Sequence, residues 1–352
     1  MKFSTISFLN PKITQFGIDL SDISIKIAQL KKTKKGYALS SFGRKEIAKG
    51  LIEEGEIKNE EKLVETIKEA VKEVKGETIK TPYCAASLPE TESFVEVIRM
   101  PAMEKKEMAE AIKWEIEAHI PLSQEEIYYD WQIIGREPDH FDVIVGALPK
   151  KTVDPYLDVL IKAGLKPMAF EIESIATART LIKKGESGAF LVIDIGAKKT
   201  SLAIASNKSI FFTTSISFSN ISFTAALADS LNISFEEAKK IKMEKGLDDL
   251  DPKSRIFQTA RLHFAELIAK IKECLDYYTD RCSASRKEKI DKIMICGGGA
   301  NLSGLALFLS RELEMPAEIG NPLANVELIN SVIKIPEEEL SSYATALGLA
   351  LE

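Results

Sequence analysis

Two stretches decide how this chain folds: "FGIDLSDISIKI" at Phe16–Ile27 and "LVIDIGAKKTSLAI" at Leu191–Ile204. Each reads as an apolar strand ending in an aspartate, a tight turn, and a second strand with alternating apolar residues. A strand that stops on Asp and turns at once brings backbone N–H groups and a carboxylate to one spot, as a phosphate with its metal requires. A carboxylate alone repels phosphate, so it belongs there as an outer partner of hydrated Mg²⁺. The bland alternative is a plain hairpin turn. The two loops differ at one place: the first has Ser21-Asp22 where the second has Gly196-Ala197.

Working outward from the first stretch, Thr14 to Ile47 predicts a three-strand meander with a turn at "KKTKKG". A helix over Asn59 to Lys75 follows, with Leu63, Ile67, Val71 and Val74 at helical spacing. Around the second stretch the plan restarts with "AFLVIDIG", "KTSLAIASN" and "SIFFTTSIS", then long helices over Phe218 to Ser285. The duplication is one of plan rather than of residues. A third loop, "MICGGGANLSGL" at Met294–Leu305, follows a strand and opens a helix; its three glycines allow a flat or anionic ligand close to the backbone. It matches neither GxGxxG nor GxxxxGK[ST], and a structural turn is its alternative.

Between Pro82 and Gly135 the texture changes to short strands and one helix bracketed by Pro101 and Pro121, which predicts a small inserted α+β subdomain. "FDVIVGALP" is expected to return to the first lobe. It is followed by a helix near Lys150 to Ala163, a strand "KPMAFEI" and a helix "ESIATARTLIKK". The expected organisation is a first lobe over 1–184, built from 1–81 and 136–184 around the insert 82–135, and a second lobe over 185–352. A terminal helix at 338–351 is expected to pack back at the hinge.

At 352 residues the chain exceeds one ordinary core, in keeping with two lobes. With 45% apolar and 28% charged residues and a net charge of −6, it has a soluble globular profile and not that of a basic nucleic-acid binder. Cys84, Cys274, Cys282 and Cys296 form no CxxC pair, which fits a reducing compartment. His119, His140 and His263 fall in no metal-binding spacing. No apolar run approaches the roughly 18 to 20 residues of a membrane span, and "MKFSTISFLNPK" has no cleavage signature, so a cytoplasmic location is expected.

Taken in order, the three loops resemble the phosphate-1, phosphate-2 and adenosine motifs of the actin, Hsp70 and sugar-kinase superfamily. "FEIESIATAR" and "SSYATALGLAL" resemble its two connecting helices. The resemblance implies an α/β, actin-like (ribonuclease H-like, duplicated) two-lobed fold with a nucleotide cleft. The inserted segment resembles that of the PilM family of type IV pilus assembly, with "P-x-M" before the helix and "E-x-x-x-x-I-P" at its end. This resemblance covers nearly the whole chain. FtsA is the nearest alternative, but its amphipathic membrane tail is not read after "LGLALE"; a filament-forming relative and a small-molecule kinase are further ones.

The resemblance implies ATP and Mg²⁺ as cofactors. Asp19 and Asp194 would face the metal through water and Lys26 would reach the phosphates. Ser21, Gly196 and Thr200 would line the phosphate loops, and Gly297, Gly298 and Gly299 would flank adenosine. Glu173 either orients the attacking water or is an acid favoured at a helix N-terminus. Two departures predict weak binding with slow or no turnover. Asp22 adds a charge whose repulsion at about 6 Å is on the order of 0.7 to 3 kcal/mol, unless it turns to solvent. In "EEAKKIK" the acid expected to hold ribose is Lys239, leaving Glu237 as substitute beside Lys242.

The implied partner is the cytoplasmic N-terminal tail of PilN, with other pilus inner-membrane components, no nucleic acid, and the membrane touched only indirectly from its cytoplasmic side. The implied groove uses Arg99, Met100 and Pro101 with Trp114, Ile120 and Pro121. Met100, Met103 and Met108 are read as core or as an adaptable surface, Trp114 and Trp131 as anchors or interior packing, and "KKTKK" as a solvated tip or a contact for anionic lipid.

Overall fold

The computed structural model describes residues 14–352 except 121, 207–208, 248–250, 252, 282–288 and 328–332. Pro121, Cys282 and the end of the helical run expected to reach Ser285 lie outside the described residues. The chain begins with β1 (Phe16–Leu20), β2 (Ser24–Lys32) and β3 (Tyr37–Glu46), then a hairpin of β4 (Ile52–Glu53) and β5 (Glu56–Ile57), α1 (Glu60–Lys72) and β6 (Lys75–Gly76). Next come β7 (Tyr83–Leu88), β8 (Phe94–Pro101), α2 (Lys105–His119), β9 (Ile127–Arg136), β10 (His140–Pro149), α3 (Lys150–Lys162), β11 (Lys166–Ile172) and α4 (Glu173–Leu181). The second half runs β12 (Ala189–Ile195), β13 (Thr200–Ser206), β14 (Ser209–Ile216), α5 (Asn220–Leu231), α6 (Phe235–Lys245), α7 (Arg255–His263) and α8 (Ala265–Arg281). It ends with β15 (Ile290–Cys296), α9 (Leu305–Leu313), β16 (Ala317–Ile319), α10 (Glu337–Leu340) and α11 (Ala344–Ala350).

The sheets show the duplication directly. One has the order β11-β7-β1-β2-β3-β6, and the other contains β16-β15-β12-β13-β14. In each, the first strand of the meander pairs antiparallel with the second and parallel with a later strand, itself parallel to the outermost one. Each aspartate therefore sits at the end of a central strand, flanked on both sides. Ile18, Ile25, Leu63, Ile67 and Tyr156 pack the first sheet against α1 and α3. Leu191, Ile193, Phe223, Phe264 and Phe308 pack the second against α5 to α9. α1 starts where Asn59 accepts a bond from the Lys62 N–H, with Glu60 and Glu61 at its positive end.

The inserted segment differs from expectation at both ends. β7 belongs to the first sheet, between β11 and β1, while β10 does not return there: it is the middle strand between β8 and β9. Alternation in "FDVIVGALP" specifies a strand but not which sheet receives it. Met108, Ile112 and Ile116 on α2 cover this small sheet, which continues the second one through a Phe212–Glu96 pairing.

At the hinge, α4 and α11 touch backbone to backbone. A Cβ on Gly348 would lie 1.9 Å from the Ala176 carbonyl oxygen, and one on Gly17 would lie 2.1 Å from that of Ala346. Thr177 and Thr345 hydroxyls bond across the contact at 3.0 Å. The terminal helix tightens to a 3-10 turn at Ser341–Tyr343 between α10 and α11.

Candidate functional site

The first aspartate loop is closed by the Ser21 N–H donating to the Ser24 carbonyl at 3.1 Å, and side chains tie it further. Asp19 faces Lys26 across the β1–β2 hairpin, and its Oδ2 accepts from Lys26 Nζ at 2.9 Å in a buried pair. Its Oδ1 accepts from the Ser87 hydroxyl at 3.0 Å, and Ser87 Oγ accepts from the Leu20 N–H. Ser21 takes the place of a turn glycine by donating its hydroxyl to the Ser24 carbonyl at 2.9 Å and accepting from the Ser24 N–H at 3.2 Å. Asp22 does not turn to solvent; it sits on the cleft wall, held by backbone. It accepts from the N–H groups of Glu54 and Gly55, at 3.1 and 3.0 Å, in the β4–β5 hairpin.

The second loop has the same backbone turn bond. Gly196 N–H donates to the Lys199 carbonyl at 2.9 Å. Gly297 has φ +83° and lies against the aspartate, so that a Cβ there would come 2.2 Å from Asp194 Oδ1. Burial pushes the Asp194 carboxyl up to about 6; Lys26 opposes the shift and Asp19 adds to it.

Beside it, Glu173 at the start of α4 meets Lys199 at 3.2 Å. Burial raises Glu173 to about 7, with Lys199 opposing and Asp19 and Asp194 adding. Burial works against the Lys199 charge, but Glu173 and Glu90 hold its ammonium above the usual range. Glu90 is itself buried and raised by burial, with the Ser174 hydroxyl donating to it at 2.5 Å.

Most of these groups line one solvent-open cleft between the two loops. Of the expected site residues, the structure brings Asp19, Ser21, Lys26, Glu173, Asp194, Gly196, Gly297 and Gly298 to its walls. Four others lie outside that lining. Thr200 is buried and donates to the Phe218 carbonyl, and Glu237 caps α6 through Ser234. Lys242 donates to Asn220 and to the Thr224 hydroxyl, tying α6 to α5, and burial lowers it to about 8. Gly299 packs against Ile195. Sequence reasoning missed Lys198, Lys199, Arg44 and Tyr156 on the walls, and Ser87 and Glu90 behind them. The one available signal was a pair of lysines immediately after the Asp194 turn. Among the lining residues, Asp19, Asp22, Glu173 and Asp194 face Lys26, Arg44, Lys198 and Lys199, so the cleft is balanced in charge.

The described residues of the expected partner groove lie on different faces of the insert. Met100 is core, packed with Met108 and Ile112, and Ile120 is partly buried against the same cluster. Strand alternation puts the exposed Arg99 and Pro101 on the opposite face of the sheet. Trp114 is 71% exposed on the side of α2 turned away from that core. Lys31, Lys32, Lys34 and Lys35 are exposed at a solvated tip. Among the described residues, no group of three or more His, Cys, Asp or Glu is placed to hold a metal directly, and no helix is long and apolar enough to cross a membrane.

Residues 17–352 match the family of the type IV pilus assembly protein PilM. The chain is similar to a structure described as the PilM-PilN type IV pilus biogenesis complex, at 25% identity and a TM-score of 0.81, covering 97% of this chain and 98% of that one. It shares its fold with ethanolamine utilization protein EutJ from Carboxydothermus hydrogenoformans, at 17% identity and TM-score 0.58 over 97% of this chain and 91% of that one. It also shares it with MreB5 of Spiroplasma citri bound to ADP, at 14% and 0.53 over 96% and 95%. With its strand order repeated in both halves and a family match spanning nearly its whole length, this two-lobed actin-like chain belongs to the PilM family of type IV pilus assembly proteins.

Proposed function

We propose that this protein is an actin-like scaffold of a type IV pilus assembly complex, placed at the inner face of the cytoplasmic membrane by binding the cytoplasmic tail of PilN. Similarity to the PilM-PilN structure along almost all of both chains carries the reading. A nucleotide with Mg²⁺ would then favour the closed form by binding it better than the open one. Asp19 and Asp194 are the pair that would hold a hydrated metal. A dication suits them, because burial and the neighbouring Asp19 charge raise Asp194, and because a polyanion entering a balanced cleft needs added positive charge. Lys26, Ser21 and Gly196 are the groups beside which phosphates would lie, and Gly297 and Gly298 would flank adenosine. Glu173 is paired with Lys199 rather than free to orient water, which favours retention of nucleotide over hydrolysis.

The test is a calorimetric titration of a synthetic PilN cytoplasmic tail into the purified protein, with and without ATP and Mg²⁺. Saturable 1:1 binding is expected. Arg99→Glu and Trp114→Ala mark the two faces of the insert, and the one that borders the tail should lose tenfold or more in affinity. A tail that never saturates sinks the scaffold reading.

A further inference from the structure

The four cations on the cleft walls are not equally committed. Lys26 is buried on Asp19 at 2.9 Å, Lys199 is set against the buried Glu173, and Arg44 reaches Glu46 at 2.8 Å on its own strand. Lys198 stands apart: its side chain is 42% exposed and its contact with Asp22 is 3.4 Å. That is longer than the roughly 2.7 to 2.9 Å of a strong charge-assisted bond. Asp22 does not depend on it, because both carboxylate oxygens already accept from backbone, one from Glu54 and one from Gly55. Withdrawing the lysine would leave no charge without partners, the circumstance that makes breaking most buried pairs costly. The pair also crosses the cleft mouth, since Asp22 follows the first aspartate strand and Lys198 follows the second.

We infer that Lys198 is an exchangeable cation that leaves Asp22 for the terminal phosphate of a nucleoside triphosphate and returns to Asp22 when that phosphate is absent. The inference rests on the nucleotide reading above and deepens it by assigning the preference for triphosphate over diphosphate to one side chain. Asp22 is then a resident counterion standing in for the phosphate, not a charge that repels it. A contact made by the triphosphate alone adds affinity for ATP and none for ADP, so the signature is a ratio of affinities.

The experiment titrates ATP and ADP, each with excess Mg²⁺, into the unmodified protein, Lys198→Gln, Asp22→Asn and the double variant, with thermal melts to show that each is folded. Lys198→Gln is expected to weaken ATP by about 5- to 20-fold and ADP by less than about twofold. Asp22→Asn is expected to tighten ATP by about two- to fivefold, and that gain should vanish in the double variant. Equal losses for ATP and ADP in Lys198→Gln overturn the assignment. So does an Asp22→Asn gain that persists without the lysine, because it would report simple repulsion. If the unmodified protein takes up neither nucleotide, the nucleotide reading fails first and the assignment goes with it, an outcome visible before any variant is tested.

Discussion

The two aspartate loops share a backbone plan, down to the same turn bond, and differ in what surrounds it. In the first, a lysine and two serines occupy the aspartate and the turn, and the carboxylate that follows is fastened to a neighbouring hairpin. In the second, glycine backbone presses on the aspartate and closes the turn, and the nearby lysines pair with groups from the first half of the chain. The first aspartate has a lysine as its direct partner, whereas the second has glycine packed against it. The turn bond itself does not require glycine, since the Ser21 N–H makes it as the Gly196 N–H does.

Removing the charge from the first loop should have the largest effect. Lys26→Met leaves Asp19 buried beside Asp194 without its cation, which is expected to lower stability by about 3 kcal/mol. Urea unfolding followed by circular dichroism measures it, and an unchanged midpoint would mean that charge does not hold this loop. Spoiling the shape of the second loop comes next. Gly297→Ala forces a side chain into the left-handed region and against Asp194, at about 2 kcal/mol, whereas Gly298→Ala, facing open space, should stay within about 0.5 kcal/mol. Equal losses at the two glycines would show that neither packing nor φ is decisive there.

The same contrast explains what was legible in the sequence. Strand, aspartate and turn are local patterns, and so are the small residues of α4 and α11; from them the loops, the duplicated sheets and the hinge could be read. Asp22 could not, because its partners are backbone N–H groups more than thirty residues away, and N–H groups leave no mark in composition. Lys198 and Lys199 gain meaning only from the fold, which sets Asp22 and Glu173 opposite them. β10 was sent to the wrong sheet because alternation fixes its faces and not its neighbours. Glu237 and Lys242 were placed by motif spacing, while capping and a buried bond network claim both side chains.

A pH titration separates the loops more gently. The Asp194 carboxyl is raised from its ordinary 3.8 to about 6 in the folded protein, so the folded state binds the proton more tightly than the unfolded chain. The stabilisation this gives is fully present below about pH 4 and is lost as pH rises through about 6. From pH 5 to pH 7 the unmodified protein should therefore lose about 1 kcal/mol relative to Asp194→Asn, which has no such proton to lose. Parallel stability curves for the two proteins would show that Asp194 does not titrate in this range.

The smallest expected effect comes from making the first loop like the second. Ser21→Gly restores the residue type of position 196 but removes a hydroxyl that bonds the Ser24 carbonyl and receives the Ser24 N–H. Its loss costs part of one net hydrogen bond, and glycine adds freedom to the unfolded chain, so stability should fall by about 0.5 to 1 kcal/mol. Gly196 differs in kind: a Cβ there would lie 2.7 Å from the Lys199 carbonyl oxygen, so that loop needs glycine for space. If Ser21→Gly instead raises the denaturation midpoint, the first loop also favours glycine, and its serine and aspartate are tolerated within a common geometry rather than holding it.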